Sequence, residues 1–195
     1  MFEVTYPNNL PAVLWKNRGG LTREIAKHEV EGALIWRISI ADVAIDGPFS
    51  RFPGLTRILT VIAGDGIDLH MPDGVMNARP EIPVQFPGGV STEGRLTNGP
   101  IRDLNVIFDP TLMSADVRLL RDTMQMAADG AQTGILVLAG PVWIDGAAVE
   151  QTAFAFGTDG VVKLGSGAPG TVHHAPAPSV ITSPPSMHSQ PAASL

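Results

Sequence analysis

The residues of this sequence that could do chemistry together are arginines, carboxylates and amides, rather than histidines or cysteines. Arg37 and Ser39 stand two apart, as do Asp103 and Asn105. In an extended chain each pair therefore shares one face. Arg57 stands on a third apolar run, Ile58–Ala63, at its beginning. If these faces turn inward, the arginines need partners, because an uncompensated buried guanidinium is costly. Asp103 is the carboxylate that could pair with Arg37 or Arg57 and leave Asn105 free to bond a ligand. An arginine held in that way suits bidentate binding of a small carboxylic acid. Phe49, Phe52 and Phe86 would supply apolar walls. The plainer alternative is that Arg37 and Asp103 face solvent.

A second polar cluster is WKNRGGLTREI, Trp15–Ile25. It sets Asn17, Thr22 and Glu24 between two apolar anchors. Gly19-Gly20 lets the backbone approach something closely. An exposed loop beside a salt-bridged strand would have the same composition.

Other chemistries lack their residues. There are no cysteines, so disulfides, thiolate catalysis and cysteine-ligated metals are excluded. The five histidines are His28, His70, His173, His174 and His188. None gives the pattern of two histidines two apart followed by a glutamate and a distant histidine, so no metal and no cofactor is expected. His173-His174 reads as a solvated pair. Ser39, Ser50 and Ser91 lie in no nucleophile elbow. No phosphate-cradling glycine motif occurs between a strand and a helix.

The elements that must position these residues read as short strands. In ALIWRISIADVA, Ala33–Ala44, the residues Trp36, Ile38 and Ile40 alternate with Arg37, Ser39 and Ala41. The first set fits a face packed between layers and the second a polar interior. Ile58–Ala63 runs into Gly64-Asp65-Gly66, which reads as a hairpin turn. Ile82–Phe86 and Leu104–Phe108 are further strands, and Arg118–Met126 is read as strand from its context. ILTVIAG (Ile58–Gly64) returns as ILVLAG (Ile135–Gly140), an offset of 76 residues when Gly64 is set on Gly140. Arg79–Phe86 resembles Val149–Phe156, and Arg95–Gly99 lines up with Lys163–Gly167. Three matches in one order favour two related β units over coincidence.

The chain has 195 residues, 44% of them hydrophobic, with 21 glycines and 17 prolines, which suits a turn-rich all-β globule. A net charge of −6 gives no footprint for nucleic acid or an anionic membrane. No apolar stretch is long enough to span a bilayer and the N-terminus does not read as a signal peptide, so a cytoplasmic protein is expected. From about Gly165 the chain turns to Pro, Ala, Ser and Gly. Apart from a last strand at Thr171–His174, this stretch reads as disordered.

Taken in order, WKNRGGLTREI, WRISIADV (Trp36–Val43), GPFSRFPGLTR (Gly47–Arg57), FPG (Phe86–Gly88) and DLNV (Asp103–Val106) resemble the HutD/Ves family of bacterial proteins. The resemblance is strong from Leu14 to Phe108 and weaker to Leu164. It implies an all-β, cupin-type (RmlC-like jelly-roll) double barrel, a bicupin of two related β units. The boundaries expected are residues 1–110 for the first unit, 111–168 for a shorter second one packed on it, and 169–195 for a disordered tail. It also implies a metal-free binding protein linked to histidine utilisation, a sensor or modulator of a small acid such as urocanate, formylglutamate or a formate-like anion. Carried over by motif, the pocket residues are Asn17, Thr22, Glu24, Arg37, Ser39, Ser50, Phe52, Arg57 and Asn105. Phe86 and Asp103 join them from the reading of the strands. Ile107 stands where the family has a methionine, and Asp109-Pro110 replaces an arginine region, which reverses the charge at that rim. The competing readings are a metal-independent isomerase or hydrolase with Glu24 or Asp103 as general base, and a scaffold with a vestigial pocket. A homodimer is compatible with all three.

Overall fold

In the computed structural model of the chain, residues 2–120, 124–125, 133–139, 142–157, 161–164, 179–183 and 185–187 are described. The first eleven strands are β1 (Glu3–Thr5), β2 (Ala12–Leu14), β3 (Gly20–Val30), β4 (Ala33–Val43), β5 (Gly47–Pro48), β6 (Thr56–Ala63), β7 (Ile67–Met71), β8 (Gly74–Ala78), β9 (Val84–Pro87), β10 (Glu93–Leu96) and β11 (Ile101–Phe108). Ten more follow: β12 (Met113–Ala115), β13 (Arg118–Leu120), β14 (Met124–Gln125), β15 (Thr133–Ala139), β16 (Val142–Ile144), β17 (Ala147–Val149), β18 (Phe154–Gly157), β19 (Val161–Leu164), β20 (Ser179–Ser183) and β21 (Pro185–Met187). The fold is all-β, and among the described residues no helix is long and apolar enough to cross a membrane.

The strands make a six-stranded sheet, β2-β3-β4-β11-β6-β9, and a four-stranded sheet, β5-β10-β7-β8. A five-stranded sheet, β1-β18-β15-β20-β13, and a second four-stranded sheet, β14-β19-β16-β17, follow the same plan. The order β4-β11-β6-β9 recurs as β13-β20-β15-β18, and β5-β10-β7-β8 recurs as β14-β19-β16-β17. Every sheet is open: among the described residues none closes on itself.

Alternation along the strands decides what packs where. One face of the six-stranded sheet turns Ala41, Val43, Leu59, Val61 and Ile101 toward Ile67, Leu69 and Ala78 of the four-stranded sheet. Its other face sets Trp36, Ile38, Ile40, Ile58, Leu104, Val106 and Phe108 against Leu136 and Phe154 of the five-stranded sheet. A third core, Ile135, Val137, Val142, Ile144, Val149 and Ala155, fills the second sheet pair. The layered face expected of Trp36, Ile38 and Ile40 is therefore the seam between the two units.

Three expectations need correction. Gly64-Asp65-Gly66 does not close a hairpin, because β6 and β7 lie in different sheets. The turn is a corner: Gly64 and Gly66 have φ of +89° and +125°, and a Cβ on either would meet a backbone oxygen, of Pro100 at 2.6 Å or of Ala78 at 2.7 Å. Residues 169–195 are not all disordered: β20 pairs with both β15 and β13, and β21 with β12. The averaged composition of that stretch hides the β-prone run SVITS, and β15 needs a ladder partner on that side. The first unit does not hold all of residues 1–110, since Glu3–Thr5 pairs with Phe154–Phe156 at the edge of the second unit's sheet. The expected strand at Thr171–His174 lies outside the described residues.

Candidate functional site

The inward face of the six-stranded sheet becomes polar at one end. On β11, Asp103, Asn105 and Ile107 face the same way, opposite Val61, Leu59 and Arg57 of β6 and Ala41, Ser39 and Arg37 of β4. Arg57 is 5% exposed, Asn105 3%, Ser39 3% and Asp103 0%. The alternation expected of these strands thus brings Arg37, Ser39, Arg57, Asp103 and Asn105 to one face.

Their bonding differs from the pairing expected. Arg57 donates from Nε (2.8 Å) and Nη2 (2.5 Å) to a single oxygen, Oδ1 of Asn105. Asn105 in turn donates from Nδ2 to Oδ1 of Asp103 at 2.5 Å. Asn105 is therefore a bridge between the cation and the carboxylate, not a free ligand-bonding amide. Arg37 does not pair with Asp103; its Nε lies 3.0 Å from Glu24 Oε2. Arg37 and Arg57 both stand opposite Ile107, four residues along β11 from Asp103, and Arg37 has β3 alongside, which sets Glu24 opposite Ser39 and next to it.

The guanidinium of Arg57 is clamped between rings, 4.6 Å from the Phe49 centroid and 5.8 Å from that of Phe86. Burial pushes its pKa down to about 10, Asp103 opposes that fall, and Arg37 adds to it. Burial likewise lifts Asp103 to about 6, against the pull of Arg57 and of the Asn105 hydrogen bond. Phe49 reaches its place because residue 94 is glycine: a Cβ there would lie 2.5 Å from the Phe49 ring.

A cavity of about 50 Å³ opens on this cluster, walled by Trp15, Thr22, Ser39, Phe49, Phe52, Arg57 and Asn105, among others. At about 10–15 Å³ for each water, it holds a few waters or one small carboxylate. Outside it lies a cleft of about 560 Å³ that shares Trp15, Thr22, Arg37, Phe49 and Ser50 with the inner cavity. The cleft adds Asn17 together with two cationic residues, Lys16 and Arg51.

Eight of the eleven residues expected to bind a ligand line one or both of these spaces. Thr22, Arg37 and Ser50 line both spaces, and Ser39, Phe52, Arg57 and Asn105 line the inner one. Asn17 lines the cleft and also caps its own turn by accepting from the Gly19 amide at 2.9 Å. Glu24, Phe86 and Asp103 touch neither space; each holds a residue that does. The close approach expected at Gly19-Gly20 is real at Gly20, where a Cβ would sit 2.5 Å from the Asp42 carbonyl oxygen.

Trp15 was not foreseen as a wall. Its Nε1 donates to Thr22 Oγ1 at 2.8 Å across the β2–β3 turn, and its ring meets Phe49 edge-on at 5.9 Å. The seven-residue spacing around a turn was the available signal. Ala41 and Ile107 complete the inner wall. Among the described residues no group of three or more histidines, aspartates or glutamates could hold a metal ion.

This arrangement can hold a small anion in a chamber walled about equally by polar and apolar side chains, and known proteins share its frame. The chain is 38% identical over 134 residues to an uncharacterised 21.2 kDa protein of the hutC 3′ region of Pseudomonas putida, covering 66% of this chain and 69% of that one. It is 30% identical over 137 residues to protein Ves of Escherichia fergusonii, covering 69% and 71%. The solved structure of HutD from Pseudomonas fluorescens superposes with a TM-score of 0.82 at 24% identity, covering 97% of this chain and all of that one. A cupin 2 conserved barrel domain protein of Leptotrichia buccalis superposes with a TM-score of 0.56 at 10% identity, covering 95% and 96%, which makes the fold cupin-like. The family model described as HutD matches residues 7–173, and the chain belongs to the HutD family.

Proposed function

We propose that this chain is a small-carboxylate-binding protein of cupin double-barrel type, a non-catalytic sensor or modulator within histidine utilisation. One observation carries the reading. The buried guanidinium of Arg57 spends two N–H groups on a neutral amide oxygen, and its other donors have no hydrogen-bond partner among the described residues. Arg57 lines a cavity of carboxylate size, with the Phe49 and Phe86 rings against its guanidinium. A carboxylate there gains charge-assisted hydrogen bonds in a medium where they are strong. The cationic cleft residues Lys16, Arg37 and Arg51 would draw in the rest of a larger acid. The similar HutD of Pseudomonas fluorescens was solved in a formate condition, which fits an anion of that size.

Thermal unfolding with formate, urocanate and N-formylglutamate tests the reading. An acid at 100 times its Kd stabilises by about 2.7 kcal/mol, a rise in Tm of roughly 5–10 °C for a chain of this length. Arg57→Ala should abolish the rise and Arg37→Ala should reduce it for the larger acids. No rise with any of the three would remove the proposal. A metal-independent enzyme acting on a small acid has one observation in its favour, the buried Asp103 Oδ2 without a hydrogen-bond partner among the described residues. Turnover of urocanate or N-formylglutamate followed by proton NMR, abolished in Asp103→Asn, would establish that reading instead.

A further inference from the structure

Asp103 has a feature that anion binding at Arg57 alone leaves unexplained. Its Oδ1 accepts from Asn105, while Oδ2 is buried without a hydrogen-bond partner among the described residues. A carboxylate oxygen in that position is costly when charged and much less so when it carries a proton.

The charges of the chamber make this oxygen matter. Arg57 on β6 and Asp103 on β11 balance one another through the neutral Asn105. Arg37 on β4 faces the same chamber and is balanced by Glu24 on β3. Asp42 on β4 lies on the opposite face, ion-paired to Arg23 and Arg102, and raises Asp103 only through space. The Ala41 backbone favours the charged carboxylate. The opposing four-stranded sheet presents Ile67, Leu69 and Ala78, which are apolar. An anion entering this enclosure therefore leaves two negative charges around one buried cation. Behind the chamber wall, one hydrogen bond beyond Asn105, Asp103 Oδ2 is the buried site that can remove one of them.

We propose that the pocket takes up its anion together with one proton, and that Asp103 Oδ2 holds the proton. This rests on the carboxylate-binding reading above and states how that site is regulated: low pH loads it and high pH empties it. Asp103 stands at about 6 in the empty protein. A like charge about 6 Å away in a medium of effective dielectric about 20 lifts a carboxyl pKa by about two. Affinity should then fall about five- to tenfold for each pH unit between about 6.5 and 7.5. The competing account has Arg37 leave Glu24 to supply the missing positive charge, and it takes up no proton.

Calorimetric titration with sodium formate decides between them. Run at pH 7.0 in buffers of different ionisation enthalpy, it counts the protons bound. The expected count for the wild-type protein approaches one. Asp103→Asn should bind formate with a count near zero, and at pH 8 should show the affinity that the wild type reaches only near pH 5.5. Formate bound with a proton count of zero and a flat affinity between pH 5.5 and 8 overturns the proton coupling and leaves the pocket standing. No formate binding at either pH overturns both. Carbon NMR of the aspartate carboxyls in the wild-type protein, with and without formate, reads the same proton without depending on the variant. One carboxyl should move its titration upward when formate is added, and no such movement overturns the coupling.

Discussion

The two sheet pairs of this protein share a plan and differ in what fills them. Setting Val61 on Val137 puts Leu59 on Ile135, Ala63 on Ala139 and Arg57 on Thr133. The β6–β11 ladder shifts register between Val61 and Ala63, and the β15–β20 ladder shifts between Val137 and Ala139, so even the irregularity is repeated. In the register of those ladders, Thr182 stands where Asn105 does and Val180 where Asp103 does. The cross-strand partner of Arg57 is Phe86, and that of Thr133 is Gly157. A cation, its amide bridge, its carboxylate and a ring over it are thus replaced, position by position, by two threonines, a valine and a glycine. Among the described residues, the buried polar side chain of the second unit's sheets is Thr133. The backbone plan and its ladders are shared; the buried cation, amide, carboxylate and ring belong to the first unit's positions.

Making the first interior resemble the second should have the largest effect. Arg57→Thr is expected to abolish carboxylate binding. It should also destabilise by about 3–5 kcal/mol, because it strands a buried carboxylate without its cation. The loss, read from urea unfolding, should be larger at pH 8 than at pH 5, where Asp103 is largely protonated. Adding Asp103→Val and Asn105→Thr to that variant should recover most of the loss, since apolar substitutes for a buried ion pair are commonly neutral or stabilising by about 1–4 kcal/mol. A triple variant less stable than the single one would show that the polar cluster holds the first sheet pair together. The comparison would then fail.

The pH dependence of stability is the next signature, and its buried carboxyl is Asp103 of the first interior. Asp103 is lifted in the folded protein to about 6, above its unfolded value of 3.8. The folded state therefore binds the proton more tightly. That contribution is complete below about pH 4 and is lost as pH rises through 6. Its size is on the order of 3 kcal/mol. Chemical unfolding of the ligand-free protein at a series of pH values should show stability falling across this window. Asp103→Asn should flatten the fall, and an unchanged slope would place its origin elsewhere.

Two glycines test whether the ring in each unit serves the site or only the packing. A Cβ at Gly94 would meet the Phe49 ring at 2.5 Å, and a Cβ at Gly134 would meet the Phe154 ring at the same distance. Either alanine substitution should cost about 1–3 kcal/mol through overpacking. Only Gly94→Ala should also weaken formate binding, because Phe49 covers Arg57 and Phe154 packs in the seam between units. Equal effects on binding would mean that the chamber responds to general loosening.

Much of this contrast is legible in the sequence, and the remainder is hidden for physical reasons. Period-two alternation places Arg37 and Ser39 on one face of β4 and Trp36, Ile38 and Ile40 on the other, because burial on both sides fixes the register. The echo of ILTVIAG in ILVLAG locates β6 and β15. What alternation cannot supply is which carboxylate meets which arginine. That depends on which strand lies alongside: Arg37 and Arg57 both stand opposite Ile107, and β3 brings Glu24 beside the first as β11 brings Asn105 beside the second. β20 is hidden because a Pro- and Ala-rich background dilutes the five residues of SVITS. The repeat itself called for them, since β15 without β20 would lack the neighbour that β11 gives β6. Trp15 was overlooked because a tryptophan beside a polar loop reads as an anchor until its Nε1 is seen to hold Thr22.

The smallest expected effect concerns a backbone detail that both units keep. Glu81 and Thr152 each precede the strand that flanks β6 or β15, with φ of +63° and +69°. Each donates its amide at 2.8 Å to an equivalent carbonyl, of Val61 or of Val137. The left-handed conformation costs an ordinary residue about 1–2 kcal/mol, and a β-branched one is the least suited to it. Thr152 is exposed, so its side chain forfeits little packing when removed. Thr152→Gly should therefore stabilise the protein, by about 0.5–1 kcal/mol after the extra freedom of glycine in the unfolded chain is set against the relieved strain. Glu81→Gly should gain less, because glutamate is not β-branched. Thermal unfolding of the two variants side by side gives the difference. A destabilised Thr152→Gly would mean that the threonine is held by contacts rather than tolerated by the turn, and the two units would then differ in their corners as well as in their interiors.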